Sequence, residues 1–260
     1  MSKTKLTNTA ALHEDGMRSA ALADALISLF EIKRYVHIKG PPGIGKTSIV
    51  RQVAESLEVN YIEVHGPTMV VEDFGIPFPH HETNTFDFYS PGWWPSDPHS
   101  KGILCFDDAA QMSTDLQKVL ANIVQARNLH GKPLPDGWMV VSTGNRMQDR
   151  AGAIRQLSHL DNRRTVLGLR TDFTDWTDWA MNNNVRPEVI AFVHFNPGRL
   201  NEFDPNAESN ATPRSWVEGV SQIIDVVPKH VEFECFAGAV GQGAATEFMG
   251  FLRHCRELPD

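Results

Sequence analysis

Apolar residues along the first two thirds of this chain fall alternately into short continuous runs and into stripes at helical spacing. Beyond residue 171 only the helical stripes remain. Residues 17–30 place Leu22, Leu26, Leu29 and Phe30 at intervals of three and four, which predicts a helix packed on a core. Residues 35–39 form a β-branched and aromatic run of strand type, and residues 46–57 read as helix. Asn60–Val64 predicts a second strand and the continuous run 102–108 a third, its uniform apolarity suiting the interior of a parallel sheet. Thr114-Asp115-Leu116-Gln117 has capping-box form and opens a helix whose apolar side carries Leu116, Val119, Leu120, Ile123 and Val124. Trp138–Thr143 and Thr165–Leu169 predict a fourth and a fifth strand.

Two stretches break this alternation. Residues 66–99 carry six prolines and seven aromatic residues without clear periodicity, and the polar Glu82-Thr83-Asn84-Thr85 between aromatic segments predicts a β-hairpin insertion. Asn128–Gly137, with His130-Gly131 at its centre, reads as a short hairpin or turn. In the last third, helices are expected over 172–181, from Pro187, from Thr212-Pro213 through Ile224, and over 232–256. Pro187 and Pro213 stand at first helical positions.

The chemistry is concentrated after the first strand. Lys39-Gly40-Pro41-Pro42-Gly43-Ile44-Gly45-Lys46-Thr47-Ser48 lies between a strand and a helix, the context that a phosphate-binding loop requires. Gly40, Gly43 and Gly45 allow backbone N–H groups to turn inward around phosphate oxygens, and the following helix presents its N-terminal dipole to the same anion. Lys46 can reach the β- and γ-phosphates, and the Thr47 hydroxyl can take a position on Mg²⁺. A nucleoside triphosphate is the ligand these residues imply.

The third strand ends in Asp107-Asp108, where ligands bind in open α/β sheets. Asp107 is the expected Mg²⁺-associated acid, and Asp108 stands where a water-orienting base belongs. Asn145, after the fourth strand, could hold the attacking water or the γ-phosphate. A plain turn role is the other reading of an Asn that follows Gly. Arginines then cluster at 146, 150, 155, 163, 164 and 170.

Composition narrows the class. The chain has 260 residues, 41% hydrophobic and 22% charged, as in a globular protein with a sizeable core. No apolar run approaches the roughly 18 residues a membrane span needs, so no membrane partner is expected. Met1–Asn8 is polar, reading as a frayed tail and not a signal peptide. Cys105, Cys235 and Cys255 form no CxxC pair, which argues against a zinc site or a disulfide framework and for a reducing, cytoplasmic setting. Cys105 is expected as a small apolar strand residue. His80 and His81 are adjacent with no further ligands nearby, which does not suit a metal site. A net charge of −8 argues against a surface that grips nucleic acid throughout.

Together these parts resemble the AAA+ ATPases over about residues 17–225, and within them the MoxR-like and dynein-related group that carries an insertion in its second helix. Gly40–Thr47 is similar to Walker A, Ile103–Asp108 to Walker B, and Asn145 to the sensor 1 residue. Ser158–Arg164 is similar to the segment ending in an arginine finger, with Arg163 as the finger and Arg164 as the other choice. Thr212-Pro213-Arg214 resembles the start of the sensor 2 helix. The resemblance implies a P-loop α/β domain over 1–171 with a five-stranded parallel sheet flanked by helices and the helix-2 insertion at 66–99. A small helical lid over 172–260 would follow.

It further implies Mg²⁺-dependent ATP hydrolysis in a ring-like homo-oligomer, a hexamer, with Arg163 acting in trans and Arg214 in cis. The work would be remodelling or assembly of a protein partner, for which MoxR-like relatives commonly use von Willebrand factor A-type proteins. ATP over GTP follows the family majority. One departure is Asp108, where the family has Glu. It leaves open a nucleotide-gated assembly module that scarcely hydrolyses. The arginine cluster alone supports a third reading, a DNA-associated motor or loader, and is equally readable as a solvated face.

Overall fold

The computed structural model describes residues 16–146, 149 and 163–257. Two compact units are present. Among the described residues, the first comprises Gly16, Ala21–Gly40 and those between Lys46 and Gly168, and the second comprises Met17–Ala20, Pro41–Gly45 and Leu169–Glu257.

In the first unit, α1 (Ser19–Glu31) precedes β1 (Val36–Lys39), α2 (Lys46–Ser56) and β2 (Asn60–His65). A hairpin of β3 (Ile76–His80) and β4 (Thr85–Tyr89) follows. Then come β5 (Lys101–Asp107), α3 (Thr114–Ala126), the two-residue strands β6 (Asn128–Leu129) and β7 (Lys132–Pro133), β8 (Gly137–Gly144) and β9 (Thr165–Gly168). The main sheet runs β2-β5-β8-β1-β9, and every pairing in it is parallel. The expected α/β fold with five parallel strands is therefore present. Inserting β5 and β8 between β2 and β1 gives the central strands neighbours on both sides, which explains why Lys101–Asp107 is apolar through its interior.

One face of the sheet is buried with α3. Leu104, Phe106 and Val140 pack with Leu116, Leu120 and Ile123, and Phe74 and Trp94 from the proline-rich stretch join the same core. Part of that stretch therefore belongs to the core: Phe74 is fully buried and stacks 6.3 Å from Phe106, whereas β3 is exposed throughout and β4 over most of its length. The expected hairpin within it is β3–β4, where Asn84 takes a left-handed φ of 52°. The turn between β6 and β7 uses positive φ at both His130 and Gly131, and His130 stacks on Phe88 of the insertion at 3.8 Å. Cys105 is fully buried in β5, and burial pushes its thiol up.

Two expectations need correction, and a third region is divided in two. The α3 cap is Ser113, whose side chain accepts from the Leu116 N–H at 3.4 Å. Gln117 instead turns inward and donates to the Met112 carbonyl at 3.1 Å, so the capping box at Thr114 does not form. That inward turn satisfies the Gln117 amide inside the core, where an unpaired amide would be costly. Leu29 of α1 is only half-buried, while Leu22, Leu26 and Phe30 are buried. The helical region expected over 232–256 is present, as two helices separated at Gly241, where φ is 83°. The expected tail at Met1–Asn8 lies outside the described residues.

A polar network crosses the interior of the sheet. Ser142 Oγ lies 2.7 Å from the Tyr35 hydroxyl and 2.8 Å from His37 Nδ1, and all three residues are buried. Burial first, then the positive charges of Arg164, Lys39 and Lys46, push the His37 imidazole down to about 3. The folded state therefore holds His37 neutral, while the unfolded chain protonates it below about pH 6.5. Stability from this group is present above that pH and is lost as pH falls towards 3. By pH 4.5 the loss should reach about 2–3 kcal/mol. Denaturant unfolding at pH 7 and pH 4.5 should show this component in the parent chain and lack it in His37→Asn.

The second unit contains α4 (Phe173–Met181) and α5 (Pro187–Phe195). A π-helical segment, Ser215–Val220, runs into the short α-helical turn Ser221–Ile223, and α6 (Glu232–Val240) and α7 (Gln242–Glu257) complete the unit. Thr212 and Ser215 cap the π segment reciprocally: the Thr212 N–H donates to Ser215 Oγ at 2.9 Å and the Ser215 N–H donates to Thr212 Oγ1 at 3.2 Å. Phe192, Trp216, Phe236 and Phe248 form its aromatic centre. Buried Glu232 accepts from Arg256 through both oxygens, each at 2.7 Å. Among the described residues, no helix is long and apolar enough to cross a membrane.

Candidate nucleotide site

The parallel register brings the carboxyl ends of β1, β5 and β8 together, and Asp107, Asp108 and Asn145 stand at those ends, with Lys46 and Thr47 beginning the helix after β1. Gly40 follows β1, and its N–H donates to the Gly144 carbonyl of β8 at 3.3 Å, which ties the start of the loop to the strand before Asn145. Pro41 and Ile44 are buried, Pro42 is half-buried and Ser48 is exposed. Gly43 and Gly45 have φ of 75° and 90°, the left-handed region that glycine enters at little cost. Among the described residues, no atom lies within 4 Å of where a Cβ on Gly45 would stand. The first helical residue of α2 is Lys46, leaving the first-turn N–H groups without intrahelical acceptors.

Lys46 is buried. Its ammonium donates to the Gly40 carbonyl at 3.1 Å and to Asn145 Oδ1 at 2.8 Å. The Asn145 amide in turn donates to Asp108 Oδ1 at 3.3 Å. Asn145 therefore links the loop lysine to the second acid, a use of the side chain that a turn asparagine does not need. Asp108 itself has φ of 49°, a left-handed conformation that Asp tolerates better than most residues, and its N–H donates to Thr143 Oγ1 at 3.0 Å.

Asp107 is gripped more closely. Its Oδ1 accepts from Thr47 Oγ1 and from Thr143 Oγ1, the second at 2.6 Å. Burial works to raise this carboxyl. The hydrogen bonds from Thr143 and Thr47 and the charge of His65 outweigh it and hold the group below the usual carboxylate value. An ionised carboxylate beside a hydroxyl is an oxygen donor set that suits a hard divalent cation, so Thr47 and Asp107 fit Mg²⁺. A buried cation in the first turn of a helix likewise fits a polyphosphate.

Lys46, Thr47, Asp107, Asp108 and Asn145 are thus brought together. Thr143 belongs with them and escaped sequence reading: it serves both acids at once, and its only signal was a hydroxyl near the end of a buried strand. Arg163 is exposed in the turn before β9, and Arg164 is half-buried. Within the second unit, the Arg214 N–H donates to the Gly43 carbonyl at 3.0 Å, and a Cβ on Gly43 would come within 2.7 Å of Thr212 Oγ1. The Arg214 side chain is exposed and lies 3.8 Å from Glu218. Of the other arginines, Arg146 makes a bidentate pair with buried Asp149. Arg170 lies 4.0 Å from Asp172, while Arg150, Arg155 and the segment Ser158–Asn162 lie outside the described residues.

Residues 36–166 match the family model described as "ATPase family associated with various cellular activities (AAA)". Among solved structures, a protein of Cytophaga hutchinsonii, provisionally named an ATPase, is similar with a TM-score of 0.50 and 12% identity. The match covers 91% of this chain and 76% of that one. A point mutant of RuvB from Thermotoga maritima is similar with a TM-score of 0.50 and 14% identity, over 90% of this chain and 68% of that one. At such identities the likeness is one of fold. No curated protein matches the chain in sequence.

Proposed function

The chain belongs to the AAA family of ATPases associated with various cellular activities, and from that premise we propose that it binds ATP with Mg²⁺ and hydrolyses it in a ring of identical subunits, to remodel or assemble a protein partner. The observation that carries this reading is the linked set Lys46–Asn145–Asp108 beside Thr47–Asp107–Thr143, since it joins a phosphate-reaching cation, a water-orienting acid and a metal-holding acid through direct hydrogen bonds.

Lys46 and the loop amides hold the phosphates, and Thr47 and Asp107 hold the metal. When bound, the metal neutralises charge on the β- and γ-phosphate oxygens. Asp108, oriented by the Asn145 amide, holds the attacking water and takes up its proton. Asn145 contributes a second effect: its carbonyl fixes the Lys46 ammonium, so the phosphate-binding and water-orienting groups share one rigid support. Arg163 is the residue offered to a neighbouring subunit, which its exposure favours over Arg164, whose Nε is buried. Arg214 acts within its own subunit. The MoxR-like assignment, the six-membered ring and a von Willebrand factor A-type partner extend this reading by the motif resemblance, with the β3–β4 hairpin as the helix-2 insertion.

The test is ATP turnover against protein concentration, with oligomer size followed in parallel. Turnover should rise steeply as rings form. Arg163→Ala should retain ATP binding and lose hydrolysis. An equal mixture of Arg163→Ala and Asp108→Asn subunits should recover roughly a quarter of parent turnover, because about one site in four then has both an intact acid and a finger-bearing neighbour. Loss of binding in Arg163→Ala would contradict the finger assignment. Ring formation and binding with negligible turnover would favour the gated assembly module, to which the short Asp108 side chain already points.

A further inference from the structure

We propose that His65 is a positioning residue for the metal site, holding the second oxygen of Asp107 and so fixing the plane of that carboxylate. The inference rests on the assignment of Asp107 to the metal.

The β2–β5 register makes His65 and Asp107 direct Cα partners at the carboxyl ends of their strands. His65 Nδ1 lies 3.5 Å from Asp107 Oδ2. Oδ1 is already occupied by the hydroxyls of Thr47 and Thr143. The two carboxylate oxygens therefore have different partners: hydroxyls from α2 and β8 on one, an imidazole from β2 on the other. A carboxylate held through one oxygen alone can still swing about its terminal torsion, which is broad for Asp. A partner on the second oxygen removes that freedom.

The backbone at His65 is itself held. A Cβ on Gly66 would stand 2.7 Å from Met112 Cγ and 3.0 Å from the Asp107 carbonyl, so the residue after His65 is pressed against Asp107 itself and a buried methionine. The half-exposed ring at position 65 thus owes its location to the strand and to this close approach, not to its own packing. Because the ring contributes little to the core, its removal should test positioning without unfolding the site.

Mn²⁺ serves as the probe, bound to the ADP complex and followed by electron paramagnetic resonance, beside nucleotide affinity measured in EDTA. In His65→Ala, Mn²⁺ affinity should fall about 10-fold, as is usual when the partner of a metal ligand is removed. Metal-free ADP affinity and thermal unfolding should stay at parent values. His65→Gln, which restores a donor, should recover most of the loss. Asp107→Asn is the control. Weakened Mn²⁺ binding in Asp107→Asn with parent-like binding in His65→Ala would overturn the role of His65 and leave the metal site standing. Parent-like Mn²⁺ binding in Asp107→Asn would refute the metal site, and the role of His65 with it.

Discussion

Asp108→Asn should reduce ATP turnover about 1,000-fold, within the range that loss of a positioned proton acceptor produces, while leaving ATP affinity near that of the parent chain. The substitution is nearly isosteric. The Asn145 amide can still donate to Oδ1 of the new side chain, and the N–H of residue 108 can still donate to Thr143, so the local geometry is kept. What disappears is the negative charge that polarises water and receives its proton. Steady-state turnover on assembled rings, with binding followed by a fluorescent ATP analogue, separates the two effects. Unchanged turnover would remove Asp108 from the mechanism. Asp108→Glu adds one methylene at the same left-handed backbone position. A gain in rate there would mean that the parent side chain stops short of its water, for which a modest misplacement costs about 100-fold.

Lys46→Ala should weaken ATP binding at least 100-fold, about 3 kcal/mol at 1.4 kcal/mol per tenfold. Lys46 is a buried cation whose described acceptors include two neutral oxygens, those of Gly40 and Asn145. A phosphate oxygen bound at this buried ammonium forms a charge-assisted hydrogen bond, which is stronger than a neutral one. Truncation also leaves Asn145 Oδ1 without its ammonium donor, which should loosen the hold of the Asn145 amide on Asp108. Isothermal titration with ATP and the ATP-dependent rise in Tm both read this out. Parent-like affinity in a folded Lys46→Ala chain would show that the loop does not bind polyphosphate. Loss of the Tm rise together with loss of titration heat is the expected result.

Local spacing was enough to identify most of this architecture. The loop glycines, Lys46 and Thr47 lie within one short stretch between a strand and a helix, and a backbone that must turn inward and then start a helix leaves a dense local mark. The same holds for Pro187, for Thr212-Pro213 and for the His130-Gly131 turn, where a fixed or left-handed φ restricts the residue type. The placement of Asp107 and Asp108 at the end of a buried strand was legible because the run before them is apolar without a break. Where local signals competed, reading failed. Ser113 and Thr114 are both good caps, and the core's demand for Gln117 decided between them. The 232–256 stripe continues in phase across Gly241, so only the backbone reveals the break.

Which residues could bind phosphate and metal, the presence of five strands, and the helical character of the last third were all readable before folding. Each rests on period and residue type within a short window. How those residues serve one another emerged only in three dimensions. The order β2-β5-β8-β1-β9 sets His65 beside Asp107 and Thr143 beside both acids, although they are separated by 35 to 42 residues in the chain. It also makes Asn145 a bridge between Lys46 and Asp108, 99 and 37 residues away. Strand order and register arise from burying two faces of a sheet at once, a condition on the whole chain that no local window carries.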